Sequence, residues 1–373
     1  MEYQPLNLPG TSDPTAPSQI PEYHAGARTP DTGVETEYSQ RVDEILRPKA
    51  ESGPLVIDLF AGCGGLALGF EACGFVTEGF EMLPACCASY QQNLRGCCHE
   101  VFLTPETRFP KADVVIGGPP CQPFSVIGHQ RGLRDSRDGF PAFISAIEQV
   151  DPQVWLFENV RGLSYRNKGY RDEILGALRA LGYKVEPHLI NAVHYGVPQN
   201  RERFIVVGHR GHFEFPPQVP YVVPAGAALG ALARSVPPDS RFLTPSMDAY
   251  VARYEKASHC VRPRDLRMNE PARTLTCRNL AGATSDMHRI RLPDGRRRRL
   301  SVREAARLQS FPDWFAFSGS ETDAFNQIGN AVPPLLAYHL AMAVRRYLES
   351  DFRLAASDLS AAPLAQQQLL AEH

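Results

Sequence analysis

The strongest constraint on the fold is an alternation of short apolar runs with amphipathic segments before residue 210. The apolar runs are LVIDLF (55–60), FVTEGFE (75–81), VVIGG (114–118), VWLFENV (154–160) and ERFIVVG (202–208). Segments with helical spacing, such as FPAFISAIEQV and YRDEILGALRALG, lie between them. Strands that are mostly apolar and alternate with helices indicate a parallel sheet covered on both faces. The sequence therefore predicts an α/β domain.

The pattern changes on either side of this region. Residues 211–290 follow no clear strand–helix alternation, which indicates a second, smaller domain. A helix is predicted after Ser301, which has capping-box spacing to Glu304, and a long amphipathic helix follows GNAVPP. The proline-containing residues 1–52 predict a mobile arm with a short helix near Glu37–Leu46.

Charge is unevenly distributed along the chain. Lys and Arg number 39 and Asp and Glu 41, for a net charge of −2. Between Arg253 and Arg307, however, 15 basic residues accompany 6 acidic ones. A basic surface on an acidic protein suits a polyanionic ligand on one face, and a solvated surface segment would have the same composition.

Cysteine usage and hydropathy exclude several protein classes. The nine cysteines form no CxxC pair, and the doublets Cys86–Cys87 and Cys97–Cys98 are poorly placed to share one ion if they are helical neighbours. We predict reduced, mostly buried thiols and no metal site. No run approaches the ~18 apolar residues of a membrane helix, and no secretory signal is visible. A membrane or secreted protein is therefore not expected.

A glycine-rich turn follows the first apolar run. Gly62, Gly64 and Ala67 fit a loose nucleotide-binding pattern, and Glu81 lies about 20 residues on, where an acidic residue can bind ribose. Glycines let a ligand approach the backbone, and the helix N-terminus favours a negative group. The turn alone is compatible with a dinucleotide, with S-adenosylmethionine or with no ligand.

Three further motifs place reactive side chains at strand ends. GPPCQPFS follows an apolar run and holds Cys121 behind two prolines, as suits a nucleophile on a rigid loop. ENV carries Glu158 at the end of the next run. QNRERF carries Arg201 and Arg203, which strand alternation would place on one face. A structural thiol, a helix cap and an ion-pair cluster are the alternatives for each motif taken singly.

Together the motifs resemble those of DNA (cytosine-5)-methyltransferases of the bacterial restriction-modification type. The resemblance runs from Leu55 to the C-terminal helix. The matching motifs are DLFAGCGG (58–65), Glu81, GPPCQPFS (118–125), ENV (158–160), QNRERF (199–204), RTLT (273–276), LSVREAARLQSFPDWF (300–315) and GNAVPP (329–334). It implies a Rossmann-like S-adenosylmethionine-dependent methyltransferase with a mostly parallel sheet and a smaller target-recognition domain.

The motif order and the resemblance divide the chain into five predicted segments. These are an N-terminal arm (1–52), a catalytic cofactor-binding domain (53–210), a target-recognition domain with a hinge (211–324), a C-terminal segment completing the catalytic domain (325–352) and a frayed tail (353–373).

The resemblance also implies a reaction. A methyl group would pass from S-adenosyl-L-methionine to carbon 5 of a cytosine flipped out of a specific duplex DNA sequence. Cys121 would add to carbon 6, and Glu158, protonated or sharing a proton, would hydrogen-bond to ring nitrogen 3 and to the exocyclic amine. Arg203 would hold the carbonyl oxygen of the base, with Arg201 beside it in the catalytic group.

Cofactor contacts carry over to the matching positions. Phe60 would stack beside adenine and Glu81 would bind the ribose hydroxyls. Met82 stands where an aromatic residue often flanks adenine, and the acid that binds the adenine amine has no clean match in HEVFLTPET. The predicted cofactor-binding residues are Asp58, Phe60, Ala61, Gly62, Cys63, Gly64, Gly65, Glu81, Met82, Pro120, Asn330, Ala331 and Val332.

DNA contacts are expected from two segments. Residues 125–140 would form a lid over the flipped base, and the arginine-rich stretch 289–299 would meet phosphates. The predicted DNA-binding residues are Ser125, Arg131, Arg134, Arg137, Gln199, Arg273, Thr274, Arg278, Arg297 and Arg298.

Three alternatives stay open at this point. An RNA cytosine-5 methyltransferase shares the catalytic motifs, but its Cys-Phe-Thr signature is missing here. A catalytically silent DNA-binding protein would not need the Cys121 loop, and a nicotinamide oxidoreductase would explain only the glycine turn. The main interpretation predicts a monomer in the bacterial cytoplasm, associated with the nucleoid. It would bind duplex DNA and is compatible with a partner restriction endonuclease acting on the same site.

Overall fold

The computed structural model describes residues 36–49, 52–121, 138–165, 168–238, 240–257, 259, 264–282 and 286–361, with side chains as far as residue 350. The helices are α1 (Glu37–Ile45), α2 (Gly65–Ala72), α3 (Pro84–Asn93), α4 (Phe140–Val150), α5 (Gly162–Tyr165), α6 (Lys168–Ala180), α7 (Ala225–Leu229), α8 (Pro245–Ala257), α9 (Cys277–Ala281), α10 (Val302–Leu308), α11 (Glu321–Asn330) and α12 (Pro334–Ala361). The strands are β1 (Leu55–Leu59), β2 (Val76–Glu81), β3 (Cys97–Glu100), β4 (Val114–Gly117), β5 (Val154–Val160), β6 (Lys184–Asn191), β7 (Gln199–Asn200), β8 (Glu202–His209), β9 (Ala272–Arg273), β10 (Arg289–Arg291) and β11 (Arg297–Arg299).

Seven strands form one sheet in the order β3-β2-β1-β4-β5-β8-β6. The strands from β3 to β5 are parallel, whereas β8 runs antiparallel to both of its neighbours. The five predicted strands are all present, which confirms the mostly parallel α/β fold. Two strands of this sheet were not predicted because their sequences are more polar: CCHE forms the edge strand β3, and KVEPHLIN forms β6 at the opposite edge.

Both faces of the sheet are buried, as the apolar strands predicted. Neighbouring residues of β1 enter different cores, since Val56 belongs to one hydrophobic cluster and Ile57 to the other. On the first face α12 packs closely on α2, where an added Cβ at Gly69 would lie 2.4 Å from the carbonyl carbon of Ala337. Helices α4 and α6 cover the other face. The C-terminal segment therefore completes this fold. Helix α12 extends to Ala361, past the predicted start of the tail.

Helix α1 is the short helix predicted within the N-terminal arm. It is docked: the Tyr38 hydroxyl donates to the carbonyl of Gly196 at 3.2 Å, and the Trp314 indole donates to the carbonyl of Asp43 at 3.1 Å. This part of the predicted arm thus belongs to the folded core. Residues 1–35, the rest of the arm, lie outside the described residues.

The smaller region between the sheet and the C-terminal helices shares the main core. Leu280, Ile290 and Leu300 belong to the same buried cluster as β1 residue Val56. Strands β10 and β11 form an antiparallel hairpin, and the short parallel pair β7–β9 ties the region to the sheet domain. Helix α10 begins with the predicted capping box. Within the described ranges, none of the helices is long and apolar enough to cross a membrane.

Candidate active site

Adjacent parallel strands bring Cys121 and Glu158 to one edge of the sheet. Strand β4 runs directly into the Cys121 loop, and β5, its neighbour, carries Glu158 near its carboxyl end. Asn159 connects the two elements: its amide donates to the carbonyl of Pro119 at 2.9 Å, and its Oδ1 accepts from the Cys121 thiol at 3.0 Å. Asn159 is thus a positioning residue, which the ENV motif contained but for which no role was predicted.

An ion pair joins Glu158 to the antiparallel strand β8. Arg203 Nε lies 2.5 Å from Glu158 Oε1, and the two side chains are only 10% and 11% exposed. Arg203 also donates to the carbonyl of Glu202 at 2.8 Å. The structure therefore brings together Cys121, Glu158 and Arg203, three of the four predicted catalytic residues.

The surroundings of Cys121 disfavour its thiolate form. Burial, then the charge of Asp138 and more weakly that of Glu158, raise the pKa of Cys121 to about 11. Asp138, which the sequence did not single out, pairs with Cys121 through the backbone and bonds to the Tyr170 hydroxyl. For Cys121 to react as a thiolate, a nearby negative charge must be neutralised, or the thiol must lose its proton as the substrate binds.

Arg201 has a different role from the one predicted. It is 1% exposed, and its guanidinium donates to the carbonyls of Leu275 at 2.7 Å, Gly329 at 3.0 Å and Ala331 at 2.9 Å. These bonds fasten the GNAVPP segment and the smaller region to the start of β8. Because all three acceptors are backbone carbonyls, we assign Arg201 to positioning, and the charges of Arg203 and Glu158 also act on its guanidinium.

The glycine turn after β1 is tied to β2 by Glu81. Its carboxylate accepts the backbone N–H groups of Gly62, Met82 and Leu83, each at 2.9 Å. Phe60, Gly62 and Gly64 have positive φ angles of 58°, 56° and 86°. Gly62 and Gly64 adopt this left-handed form without strain, whereas Phe60 is a non-glycine residue in the same region.

The other predicted cofactor residues surround this turn, and Met82 differs from them because its side chain is exposed. An added Cβ at Gly139 would lie 2.8 Å from the Phe60 ring and 2.4 Å from Pro120, so Gly139 packs directly against both residues. The Val332 carbonyl closes on Gly65 at the start of α2. Ala61 and Cys63 are buried, and Asn330 accepts from the Cys277 thiol at 2.8 Å. Met82 is 54% exposed, and its side chain forms no buried wall.

Asp58 provides a test of whether a cationic ligand fits this turn. The side chain is 1% exposed, and its Oδ2 atom has no hydrogen-bond partner among the described residues. Burial and the charge of Glu81 raise the pKa of Asp58 to about 8. The Ala67 backbone hydrogen-bonds this carboxylate and opposes the rise in pKa. The unpartnered oxygen would be stabilised by a cation, and S-adenosylmethionine carries an ammonium and a sulfonium group. The residues present therefore fit this cofactor.

A cleft of about 620 Å³ opens beside Arg203. It separates the Val160–Gly162 end of β5 from the smaller region, and its basic lining includes Arg264, Arg267 and Arg273. Glu202, Asp265 and Glu270 also line it. Arg264 and Arg273 pair with Asp286, and Arg267 pairs with Glu270. Five arginines against three carboxylates in the lining still favour a polyanion, and Arg203 connects this cleft to the Cys121–Glu158 cluster.

The predicted DNA contacts are distributed differently from the expectation. Thr274 and Arg273 line the cleft, and Arg278 is exposed. Gln199 is fully buried, where it donates to the carbonyl of Leu308 at 3.1 Å, so it cannot contact DNA. The lid residues Ser125, Arg131, Arg134 and Arg137 lie outside the described residues.

Two arginines of β11, Arg297 and Arg298, were interpreted wrongly as DNA contacts, whereas Arg291 and Arg296 of the same stretch are exposed. Arg298 is 1% exposed and forms a two-pronged ion pair with Glu304, at 2.7 and 2.8 Å. Arg297 is 14% exposed and pairs with Asp248 at 2.9 Å. These guanidinium groups are committed to contacts within the protein, because β11 packs its side chains against α8 and α10.

A mostly parallel sheet with a glycine turn after its first strand and a cysteine loop after its fourth defines an S-adenosylmethionine-dependent methyltransferase fold. A family model described as C-5 cytosine-specific DNA methylase matches residues 55–228 and 243–346. The chain therefore belongs to this family and is a DNA (cytosine-5-)-methyltransferase, as the motifs predicted.

Curated relatives and solved structures agree with this assignment. The chain is 54% identical over 308 residues to Type II methyltransferase M.AplI of Arthrospira platensis, covering 82% of this chain and 89% of that protein. It is 32% identical over 351 residues to Type II methyltransferase M.XorII of Xanthomonas oryzae pv. oryzae, covering 76% and 82%. A putative DNA modification methyltransferase encoded within an E. coli prophage has a TM-score of 0.59 at 23% identity, covering 80% of this chain and 100% of that one. This structural likeness supports the fold.

Proposed function

We propose that this methyltransferase modifies carbon 5 of a cytosine flipped out of a specific duplex DNA sequence, through a covalent adduct between Cys121 and carbon 6. The observation that carries the proposal is the cluster of Cys121, Glu158 and Arg203 beside the arginine-lined cleft. The names of the Type II relatives support a restriction-modification role. A partner endonuclease, a monomeric state and a cytoplasmic, nucleoid-associated location remain predictions.

Each residue of the cluster has one chemical task. The Cys121 sulfur forms a bond to carbon 6, and the displaced electron pair makes carbon 5 nucleophilic. Glu158, a carboxylate paired with Arg203 in the free protein, takes up the proton that the Cys121 thiol loses and shares it with ring nitrogen 3. Arg203 faces the carbonyl oxygen, so that negative charge developing in the ring is stabilised. S-adenosylmethionine supplies an electrophilic methyl group when bound. Once carbon 5 carries the methyl group, its proton passes to water, and the electron pair of the broken C–H bond restores the ring double bond and expels the Cys121 thiolate.

The carboxyl ends of β2 and β3 point to the unassigned adenine contact. Parallel pairing places Glu100 in register with Glu81, and Glu100 is exposed at the edge of the sheet. Because Glu81 is the proposed ribose ligand, a carboxylate one strand away is suitably placed to accept from the adenine amine. We assign that contact to Glu100, which the sequence HEVFLTPET contained without a recognisable motif.

Asp58 makes cofactor affinity depend on pH. Between about pH 6 and pH 8, we expect affinity for S-adenosylmethionine to rise by up to about tenfold per pH unit, and to level off above. The reason is that the neutral Asp58 carboxyl, with its pKa raised to about 8, must lose a proton before it can stabilise the cationic ligand. Titration calorimetry across this range, in buffers of different ionisation enthalpy, would also detect the released proton.

Asp58→Asn is expected to remove this pH dependence, and the exposed Asp172→Asn should retain it. The raised pKa of Asp58 has the opposite effect on the folding stability of the cofactor-free protein, which falls as pH rises. Folded Asp58 binds a proton between about pH 4 and pH 8 that the unfolded chain has lost, so this group makes folding less favourable as pH rises through that window. A cofactor affinity that is flat with pH in the unsubstituted protein would contradict the assignment of Asp58.

The proposed reaction can be tested by bisulfite sequencing of random-sequence duplex DNA treated with the protein and cofactor. We expect protected cytosines within one short sequence context, and none with Cys121→Ala, because the adduct at carbon 6 needs the thiolate. Cofactor binding by Cys121→Ala, measured calorimetrically, is expected to persist and shows that the variant is folded. Protection by Cys121→Ala would contradict the covalent mechanism. Methylation of RNA but not of duplex DNA would favour an RNA substrate.

A further inference from the structure

We propose that Glu78, Cys97 and His99 form a binding site for a divalent transition-metal ion of the zinc class at the edge of the sheet. Cys97 and His99 are two residues apart on β3, so both point to the same face. Glu78 is the register partner of Cys97 on the parallel strand β2. The pairing of these two strands therefore places the three side chains together.

The spacing of the three ligand atoms matches tetrahedral coordination. Cys97 Sγ lies 3.6 Å from His99 Nε2, and His99 Nε2 lies 3.5 Å from Glu78 Oε2. In a tetrahedral zinc site, bond lengths of about 2.3 Å to sulfur and 2.0–2.2 Å to nitrogen and oxygen put such atoms about 3.6 Å and about 3.4 Å apart. All three ligand atoms lie within 4.8 Å of one another. An ion could be bound with little rearrangement.

The imidazole ring of His99 is already oriented to bind a metal ion. The His99 ring stacks on Phe80 with a centroid distance of 4.7 Å and an angle of 29° between planes. Phe80 is its register partner and is itself buried. Stacking fixes the ring plane, while Nε2 faces both the thiol and the carboxylate. Such fixed orientation of a ligating histidine is what outer contacts provide in metal sites.

The site is separate from the cofactor turn and is accessible. Glu81 and Glu100 alternate with Phe80 and His99 along the two strands and so face the opposite side of the sheet. Strand β3 is the edge strand, and His99 and Glu78 are 48% and 29% exposed. Three protein ligands leave one coordination position for water.

The cysteine doublet argued against metal binding only on the assumption of a helix. On strand β3, Cys97 is exposed and Cys98 is buried on the other face, so the doublet supplies one ligand and the histidine two residues on supplies the next. The signal in the sequence was the alternating pattern Cys-x-His, and the third ligand could come only from strand pairing.

Cobalt(II) and zinc(II) titration of the full chain, freed of metal by chelation and kept reduced with a non-thiol reductant, tests the proposal. We expect one cobalt ion per chain with a thiolate-to-cobalt charge-transfer band, displaced by zinc. The thermal midpoint should rise with zinc concentration, because an ion that binds only the folded state stabilises it. Cys97→Ser and His99→Ala are each expected to weaken binding by about tenfold or more and to lose the band or shift it.

Cys277→Ser serves as the matched control, since it removes a half-buried thiol elsewhere. It should retain both the cobalt band and the zinc-dependent midpoint. Circular dichroism of the metal-free variants separates loss of ligand from loss of fold. The proposal is overturned if the chain binds no cobalt through thiolate, if Cys97→Ser binds as tightly as the unsubstituted protein, or if Cys277→Ser abolishes the band instead.

Discussion

Replacing Glu158 by glutamine is expected to lower the turnover number for methyl transfer by about 10²–10⁴-fold, the usual contribution of a positioned acid–base group. Glutamine has nearly the same shape but cannot hold an exchangeable carboxyl proton at ring nitrogen 3. It also removes the charge that faces Arg203 at 2.5 Å. Incorporation of labelled methyl groups into duplex DNA, measured at saturating cofactor and DNA, gives the comparison.

The same substitution should make the Cys121 thiol more reactive. The Glu158 charge is one cause that raises the pKa of Cys121 to about 11, so its loss lowers that pKa and increases the thiolate fraction at a given pH. Alkylation of the Cys121 peptide by iodoacetamide, followed by mass spectrometry at about pH 8, should therefore be faster in Glu158→Gln. Activity and thiol reactivity thus change in opposite directions.

A fall in activity together with a rise in Cys121 reactivity distinguishes a chemical role of Glu158 from a folding defect. A misfolded variant would lose activity and expose buried cysteines as well, such as Cys73 and Cys86, whose modification the same mass spectra report. Glu186→Gln, a surface carboxylate on β6 that pairs with His209, is the matched control and should leave both measurements unchanged. Full methyl transfer by Glu158→Gln would show that another group provides the proton at ring nitrogen 3.

The proposed catalytic cluster of Cys121, Glu158 and Arg203 could be predicted from the sequence because Cys121 and Glu158 follow strand ends. Cys121 and Glu158 each come after an apolar run, and parallel strands of one sheet end at the same edge. The roles of Arg201 and Gln199 could not be predicted, although both lie in the same motif. Their partners are backbone carbonyls more than 70 residues away in the chain, and such contacts exist only after the C-terminal segment has docked.

The arginine run at 296–299 shows a second limit on what can be predicted from the sequence. Asp294 and Gly295 form the turn between β10 and β11, and a Asp-Gly pair between two strands is a hairpin signal that the sequence contained. Within such a hairpin, alternation places Arg298 on the face opposite to Arg297 and Arg299. Which face is buried depends on Glu304 of α10, and local composition alone carries no information about that partner.

Arg298→Met is expected to lower the free energy of unfolding by about 3–5 kcal/mol, because it leaves the buried Glu304 carboxylate without its countercharge. Arg298 and Glu304 are both 1% exposed, and the pair is bidentate. The guanidinium also donates to the carbonyls of Leu232 and Ser235, at 3.0 and 3.2 Å. Methionine fills similar length but satisfies none of these acceptors, so the urea midpoint should fall markedly.

Arg291→Met gives the matched comparison within the same hairpin. Its side chain is 63% exposed, and its nearest carboxylate, on Asp265, is 3.8 Å away, so the expected loss is below about 1 kcal/mol. If the arginine run were instead a phosphate-binding surface, Arg298→Met would leave the urea midpoint unchanged. It would then reduce the salt dependence of DNA binding by about one counterion. Measuring both quantities on both variants therefore decides whether Arg298 holds β11 against α10 and the 232–235 segment or contacts DNA.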